Sequence, residues 1–201
     1  MKKFQFKNLH FSSDLHLNHD PDWPVPIWRQ RGFACVDDMN VAIIKSLNDI
    51  DGDILLLGDF CLNTSEEQFY AFLRQIKNPI YTLLGNHPNP IRRILEQKNG
   101  DYDVWPTQIE NMTVLGHYFK LVYQKQLIEC SHFPYSIWDE QKRGAWCITG
   151  HSHGGFPDTR PENKFGKILD VGWDIFKRPI SFEELKKIMA KKQYVRKDGH
   201  H

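Results

Sequence analysis

Four cysteines in 201 residues, none spaced as C-x-x-C, leave no basis for a disulfide framework or a cysteine zinc knuckle. Cys35, Cys61, Cys130 and Cys147 each lie in an apolar neighbourhood and read as buried free thiols. No apolar stretch reaches the length of a membrane span. Residues 1–7 lack the long apolar region of a secretory signal, so a cytoplasmic protein is expected. The formal net charge is +1, which excludes a broad basic footprint for long nucleic acid and leaves open a local patch for a short strand. Repeats and low-complexity segments are absent. The hydrophobic share of 40% and charged share of 25% are ordinary for a globular protein with a real core. One domain is expected over residues 1–190, followed by a polar tail, 191–201, that frays.

Along the chain, helices and strands alternate first. Residues 4–12 read as a strand, and 20–32, rich in Pro and Trp, as an irregular loop. Met39, Ala42, Ile43 and Leu47 recur at helical spacing within 36–48. Residues 53–57 form a continuous apolar run, the pattern of a strand buried on both faces. Thr64 or Ser65 caps a helix with Phe69, Phe72, Leu73 and Ile76 on its inner stripe. A strand over 79–84 and a short helix over 89–98 follow. The second half is strand-rich: 102–105, 112–115, 118–123 and 127–130 suggest an antiparallel meander, and 145–149 and 167–171 add two later strands. Ser181 and Glu184 have the spacing of a capping box and open a last helix. Two packed sheets with helices outside would bury both halves in one core.

Metal-type side chains recur just after the predicted strands. They read Asp14-Leu15-His16, Gly58-Asp59, Gly85-Asn86-His87, His132 and Gly150-His151-Ser152-His153. On a strand, the two-residue spacing of Asp14 and His16 puts both on one side, within reach of one cation. Asp59 reads as a turn or helix-start residue or as a carboxylate shared by two cations, and Gly58 allows the sharp turn before it. Asn86 offers a hard neutral oxygen, and the adjacent His87 could give a proton to a leaving oxygen. His132 alone would read as structural. The pair His151 and His153 is a more specific metal pattern, and the glycines around it point to crowded backbone. Singly these motifs are weak; their order and shared strand-end placement make a two-metal phosphate-ester site the better reading.

In these five blocks the chain resembles the calcineurin-like metallophosphoesterase superfamily over about residues 4–175. Ser12-Ser13-Asp14-Leu15-His16-Leu17-Asn18-His19, Ser131-His132-Phe133-Pro134 and Val171-Gly172-Trp173-Asp174 are similar to its small stand-alone bacterial and phage members, whose substrates are generally undefined. The resemblance implies an α/β fold, a four-layer sandwich of two packed mixed β-sheets flanked by helices. It implies one metal on Asp14, His16 and His153, a second on Asn86, His132 and His151, and Asp59 bridging. It also implies hydrolysis by a metal-activated hydroxide with His87 as catalytic acid. The family usually has an acid after Gly-Asn-His; here Pro88 stands there and cannot orient the imidazole.

His19 and Asp174 are further candidates, for substrate contact or ligand support. Trp23, Trp28, Trp138 and Trp173 read more readily as loop anchors than as base-stacking faces. Two divalent ions are expected as cofactors, manganese first, with iron, zinc, nickel or cobalt as alternatives. The expected partner is a small phosphate ester, including a nucleotide, with no membrane and no long nucleic acid. A non-catalytic scaffold of the same fold and a nuclease on short single strands are the competing readings.

Overall fold

Alternate residues of each inner strand serve two different apolar cores, and this explains the uninterrupted apolar runs. The computed structural model describes residues 4–19, 25–156 and 166–193. Its elements are β1 (His10–Ser12), α1 (Ile27–Gln30), α2 (Val36–Asn48), β2 (Ile54–Leu56), α3 (Glu66–Gln75), β3 (Ile80–Leu83), α4 (Ile91–Asn99), β4 (Thr107–Ile109), β5 (Met112–Gly116), β6 (Tyr118–Tyr123), β7 (Gln126–Ser131), β8 (Trp146–Thr149), β9 (Ile168–Asp170), α5 (Trp173–Phe176), β10 (Ile180–Ser181) and α6 (Phe182–Lys191).

Six strands form one sheet in the order β10-β1-β2-β3-β5-β4, and four form a second in the order β6-β7-β8-β9. Within the first, β1, β2, β3 and β5 run parallel, with β10 and β4 as antiparallel edges. In the second, β7, β8 and β9 are parallel and β6 is antiparallel. Between the sheets, Phe11, Leu55, Leu57 and Leu83 meet Ile128, Cys130, Ile148 and Leu169. On the other face of the first sheet, Ile54, Leu56, Ile80, Met112 and Val114 meet Met39 and Ile43 of α2, Phe69 and Leu73 of α3, and Ile94 of α4. The result is two mixed sheets with flanking helices, as the resemblance implied. The outer face of the second sheet is covered by Trp138 and Ala145 over Cys147 and Ile168.

Helix α3 starts with a full capping box, Ser65 with Gln68, and α6 with another, Ser181 with Glu184. Each cap satisfies backbone donors that the first helical turn leaves open, worth about 1 kcal/mol.

Some expectations are corrected. The first strand is shorter than 4–12: only His10–Ser12 joins the ladder. Lys7 instead exchanges bonds with Asp53, and Phe4 and Phe6 pack edge-on against Tyr81 and Phe119. Residues 102–105 are turns; the strand begins at Thr107, after Pro106, which has no N–H to give a ladder. The four short strands are not one meander. β4 and β5 extend the first sheet while β6 and β7 open the second, because each β-hairpin buries its apolar side on a different neighbour. Within the loop over 20–32, Ile27–Gln30 makes a short helix, and residues 20–24, with Trp23, lie outside the described residues. Cys35 is exposed, where its Sγ caps α2 by accepting from Asp38 N, whereas the other three thiols are buried, and no disulfide forms among the described residues. Trp138 and Trp173 are buried anchors whose indole N–H groups donate to Ala145 O and Ser46 Oγ, and Trp28 packs against the core from α1. The proposed tail falls outside the described residues beyond 193. No described helix is long and apolar enough to cross a membrane.

Candidate metal centre

Left-handed backbone at the strand ends aims the site. Asp14, His16, Asp59, His151 and His153 have φ of 56°, 52°, 51°, 70° and 50°. Non-glycine residues rarely adopt this region, and each costs about 1 kcal/mol or more. Alternation along a strand therefore does not bring Asp14 and His16 together, as the spacing had suggested. β1 ends at Ser12, and tight turns swing both side chains inward. Backbone bonds hold those turns to the next strand end: His16 N donates to Asp59 O and Leu17 N to Phe60 O, each at 3.0 Å. Gly58, at φ 108°, takes the sharp turn before Asp59. Gly150 is needed for a different reason, since a Cβ there would lie 1.9 Å from Ser13 Oγ and 2.5 Å from Asp14 Oδ2.

The seven side chains expected as metal ligands converge. His16 Nε2 lies 3.9 Å from Asp14 Oδ1 and 3.8 Å from Asp59 Oδ2. His153 Nε2 lies 3.9 Å from Asp14 Oδ1. Asp59 Oδ2 is 3.4 Å from His132 Nε2. Asn86 Oδ1 stands 2.8 Å from both His132 Nε2 and His151 Nδ1. Asp14 Oδ2 accepts from His151 N at 2.8 Å, which ties the first strand end to the loop after β8. Two triads, Asp14 with His16 and His153 and Asp14 with Asp59 and His132, each have ligand atoms close enough to hold one ion.

The donor chemistry fits cations. His132 Nδ1 lies 2.8 Å from Leu57 O, a pure acceptor, so the ring proton belongs on Nδ1. Its Nε2 lone pair then faces the oxygens of Asn86 and Asp59, and acceptors crowded so closely need a proton or a metal ion among them. Both ring nitrogens of His16 and Oδ1 of Asp14 are buried and have no hydrogen-bond partner among the described residues. Buried polar atoms are rarely left so, and a divalent ion would satisfy them.

Charge balance in the cluster follows from burial and pairing. Burial pushes Asp14 up to about 6, against the pull of His132 and His153. Burial also pushes Asp59 upward, but the hydrogen bond and charge of His132, with His16, outweigh it and hold it at about 2. Burial drives His16 well down, which favours its neutral ring. For His132 and His153 burial acts downward, and the carboxylates of Asp59 and Asp174 respectively reverse the net direction.

His87 stands at the edge of this cluster. Its backbone N–H donates to Asp59 Oδ1 at 2.9 Å, and its ring meets that of His16 edge-on at 5.6 Å between centroids. Among the described residues no carboxylate is hydrogen-bonded to the His87 ring, so none replaces the acid that Pro88 displaces. His19 is brought in too, its ring 5.6 Å from that of His16, and both line an open cleft of about 610 Å³. Asp174 accepts from His153 Nδ1 at 2.7 Å, which leaves Nε2 of that ring facing Asp14.

Two residues were not found from sequence. Arg31, 1% exposed in its side chain, donates to both oxygens of Asp174 at 2.8 and 2.7 Å. It also donates to the carbonyls of Leu15 and Asp14, at 2.7 Å each. The guanidinium therefore fixes the first strand end and the support of His153 at once. Asp170, at the end of β9, accepts from Gly172 N at 2.7 Å and Gly154 N at 3.3 Å, and from Ser152 Oγ, and so shapes the loop carrying His151 and His153. Arg31 carries no local signal, because its partners are 17 and 143 residues away. Asp170 ends an apolar run much as Asp59 does, which was the available clue.

A structure of a protein of unknown function from Aquifex aeolicus is similar over 90% of this chain and 98% of its own, with a TM-score of 0.59 and 17% identity, which speaks to the fold alone. An archaeal phosphodiesterase is more distant, with a TM-score of 0.43 and 15% identity over 82% of this chain and 81% of its own. Zinc-complexed Vps29 from Entamoeba histolytica gives 0.32 and 15% over 72% and 64%. No curated protein matches the sequence. The family model described as calcineurin-like phosphoesterase matches residues 8–176, from the strand that presents Asp14 to the helix that carries Asp174, and the chain belongs to that family.

Proposed function

We propose that this protein is a two-metal phosphoesterase acting on a small or medium phosphate ester. The observation that carries the reading is the position of Asp59. Its Oδ2 stands between His16, at 3.8 Å, and His132, at 3.4 Å, as a carboxylate shared by two cations would. Asp14, His16 and His153 would hold one ion, Asn86, His132 and His151 the other. The mixed nitrogen and oxygen set suits manganese, iron, zinc, nickel or cobalt, and manganese is expected to activate best in vitro. When bound, such ions supply Lewis acidity and make water a nucleophile at neutral pH.

The chain's own groups do the rest. Leu57 O and Asp174 each hold a ring proton, of His132 and His153, and keep the opposite nitrogen of each ring directed at the cluster. Asp59 Oδ1, by accepting from His87 N, sets where the His87 ring enters the cleft. That ring gives a proton to the ester oxygen as its bond to phosphorus breaks. Among the described residues no carboxylate supports the imidazole, so esters with good leaving groups should be favoured. The cleft is open to solvent, with Val25, Ile27 and Gln30 on one wall, which favours a diester or a broad range of esters over one tightly enclosed monoester.

A screen of p-nitrophenyl phosphate and bis-p-nitrophenyl phosphate with added manganese tests the reading. Turnover is expected and should fall to near background in Asp59→Asn with the fold kept. A manganese-loaded protein inert toward both esters would instead favour a scaffold, and near-normal turnover by Asp59→Asn would remove the shared carboxylate.

A further inference from the structure

Two cavities meet at His87 and differ in part of their lining. The larger, about 610 Å³, runs past His16 and His153 and has an apolar wall of Val25, Ile27 and Leu62. The smaller, about 480 Å³, passes Asn86 and Pro88 and is lined by Asn63, Thr64, Ser65, Asn89 and Arg93. Leu62, Asn63 and His87 line both. Each volume suits a small organic group. A phosphomonoester has one substituent and would leave one cavity without a role. A diester has two, and a phosphorus placed beside His87 would send one into each.

The smaller cavity is also electrically one-sided. No carboxylate lines it, and Arg93 is its one Lys, Arg, Asp or Glu side chain among the described residues. The neighbouring Arg92 is already committed: it pairs with Glu96 at 3.1 Å and stacks on Tyr102 at 4.2 Å. Arg93 has no carboxylate partner among the described residues. An uncompensated guanidinium facing a polar cavity with amide and hydroxyl groups around it matches a phosphate or carboxylate, which it can hold in a forked pair of bonds.

Resting on the hydrolase reading above, we propose that the substrate is an unequal phosphodiester. One arm, apolar or planar, lies along Val25, Ile27 and Leu62. The other carries a second anionic group, held by Arg93 in the smaller cavity. Arg93 is then a specificity-determining residue, and the cleaved bond is an ordinary P–O ester bond with water as co-substrate.

The test uses two chromogenic diesters that differ by one phosphate, thymidine 5′-(p-nitrophenyl phosphate) and its 3′-phosphorylated counterpart. The wild-type protein should prefer the phosphorylated diester about tenfold in kcat/KM, the scale of one charge-assisted contact at a partly exposed site. Arg93→Ala should lose that preference, Arg93→Glu should invert it, and Arg92→Ala should keep it. Without turnover, thymidine 3′,5′-bisphosphate should bind about tenfold more weakly to Arg93→Ala in equilibrium dialysis, by the same contact. Equal rates on the two diesters in the wild type, or a preference surviving in Arg93→Ala, overturns the proposal and leaves hydrolysis standing. So does turnover of p-nitrophenyl phosphate with neither diester cleaved. Failure on every ester removes the hydrolase reading itself, and the two-armed substrate with it.

Discussion

Replacing Arg31 tests how the centre is held. The guanidinium is almost completely buried and supplies two bonds to Asp174 and one each to the carbonyls of Asp14 and Leu15. Arg31→Ala would leave Asp174, half of a largely buried ion pair, without its main cation, and two carbonyls without a donor. Breaking a buried pair from one side costs about 3–5 kcal/mol, more than the pair itself contributes, because the stranded charge has lost its water. In a chain of this size each kcal/mol lowers Tm by about 2–4 °C, so a fall of about 10 °C is expected. Stability alone would not show a role at the site. Asp174→Asn separates the two effects. It keeps the shape of the side chain but weakens the hold on His153 Nδ1, and the loss of such outer support typically costs 10–100-fold in metal affinity, that is about 1.4–2.7 kcal/mol. Arg31→Lys keeps the charge without the fork, so it should recover part of the stability and little of the affinity. Thermal melts in chelator, followed by manganese titration of the refolded variants, read both quantities. If Arg31→Ala melts within 2 °C of wild type, or Asp174→Asn binds manganese as tightly as wild type, the clamp has no such role (the bound of about 2 °C corresponds to less than 1 kcal/mol).

Two further predictions are independent of that clamp. His87→Ala should lower kcat about 10²-fold or more while manganese stoichiometry stays unchanged, and the loss should shrink on esters with better leaving groups; a constant loss across leaving groups would argue against proton donation. Glu129 should make stability pH-dependent. It is buried on β7, both its carboxylate oxygens lack hydrogen-bond partners among the described residues, and burial pushes it from 4.5 up to about 7. A raised carboxyl is neutral in the fold at pH 4 and costs progressively more as pH climbs through 4.5 to 7. Glu129→Gln should therefore stabilise by roughly 1–2 kcal/mol at pH 8, allowing for Lys120 nearby, and by almost nothing at pH 4. Urea titrations at the two pH values read this, and an equal effect at both would refute it.

The elements that were legible from sequence share one property: their signals are local. The helix over 36–48 is visible because Met39, Ile43 and Leu47 face one core. The capping boxes at Ser65 and Ser181 need three residues each, and 53–57 shows its double burial in five. Strand limits at residues 4–9 and 102–105 were misread because apolar residues there pack side on, against Tyr81, Phe119 and the first core, without joining a ladder.

For the candidate site, local sequence determined which side chains were available and that each follows a strand. The spacing of Asp14-x-His16, Gly-Asp, Gly-Asn-His and Gly-His-x-His is a property of the chain alone, and so is the departure at Pro88. Tertiary structure alone decided the rest. The left-handed turns at Asp14, His16, Asp59, His151 and His153 are unfavourable for each residue by itself, and bonds from other strand ends hold them. Arg31 became part of the centre only when a short helix brought it under Asp14 and against Asp174. Arg93 and Val25 acquired meaning only when two cavities met at one imidazole. Residue type and short spacing are written within a few neighbours; convergence depends on contacts between segments more than a hundred residues apart, which only the folded chain sets.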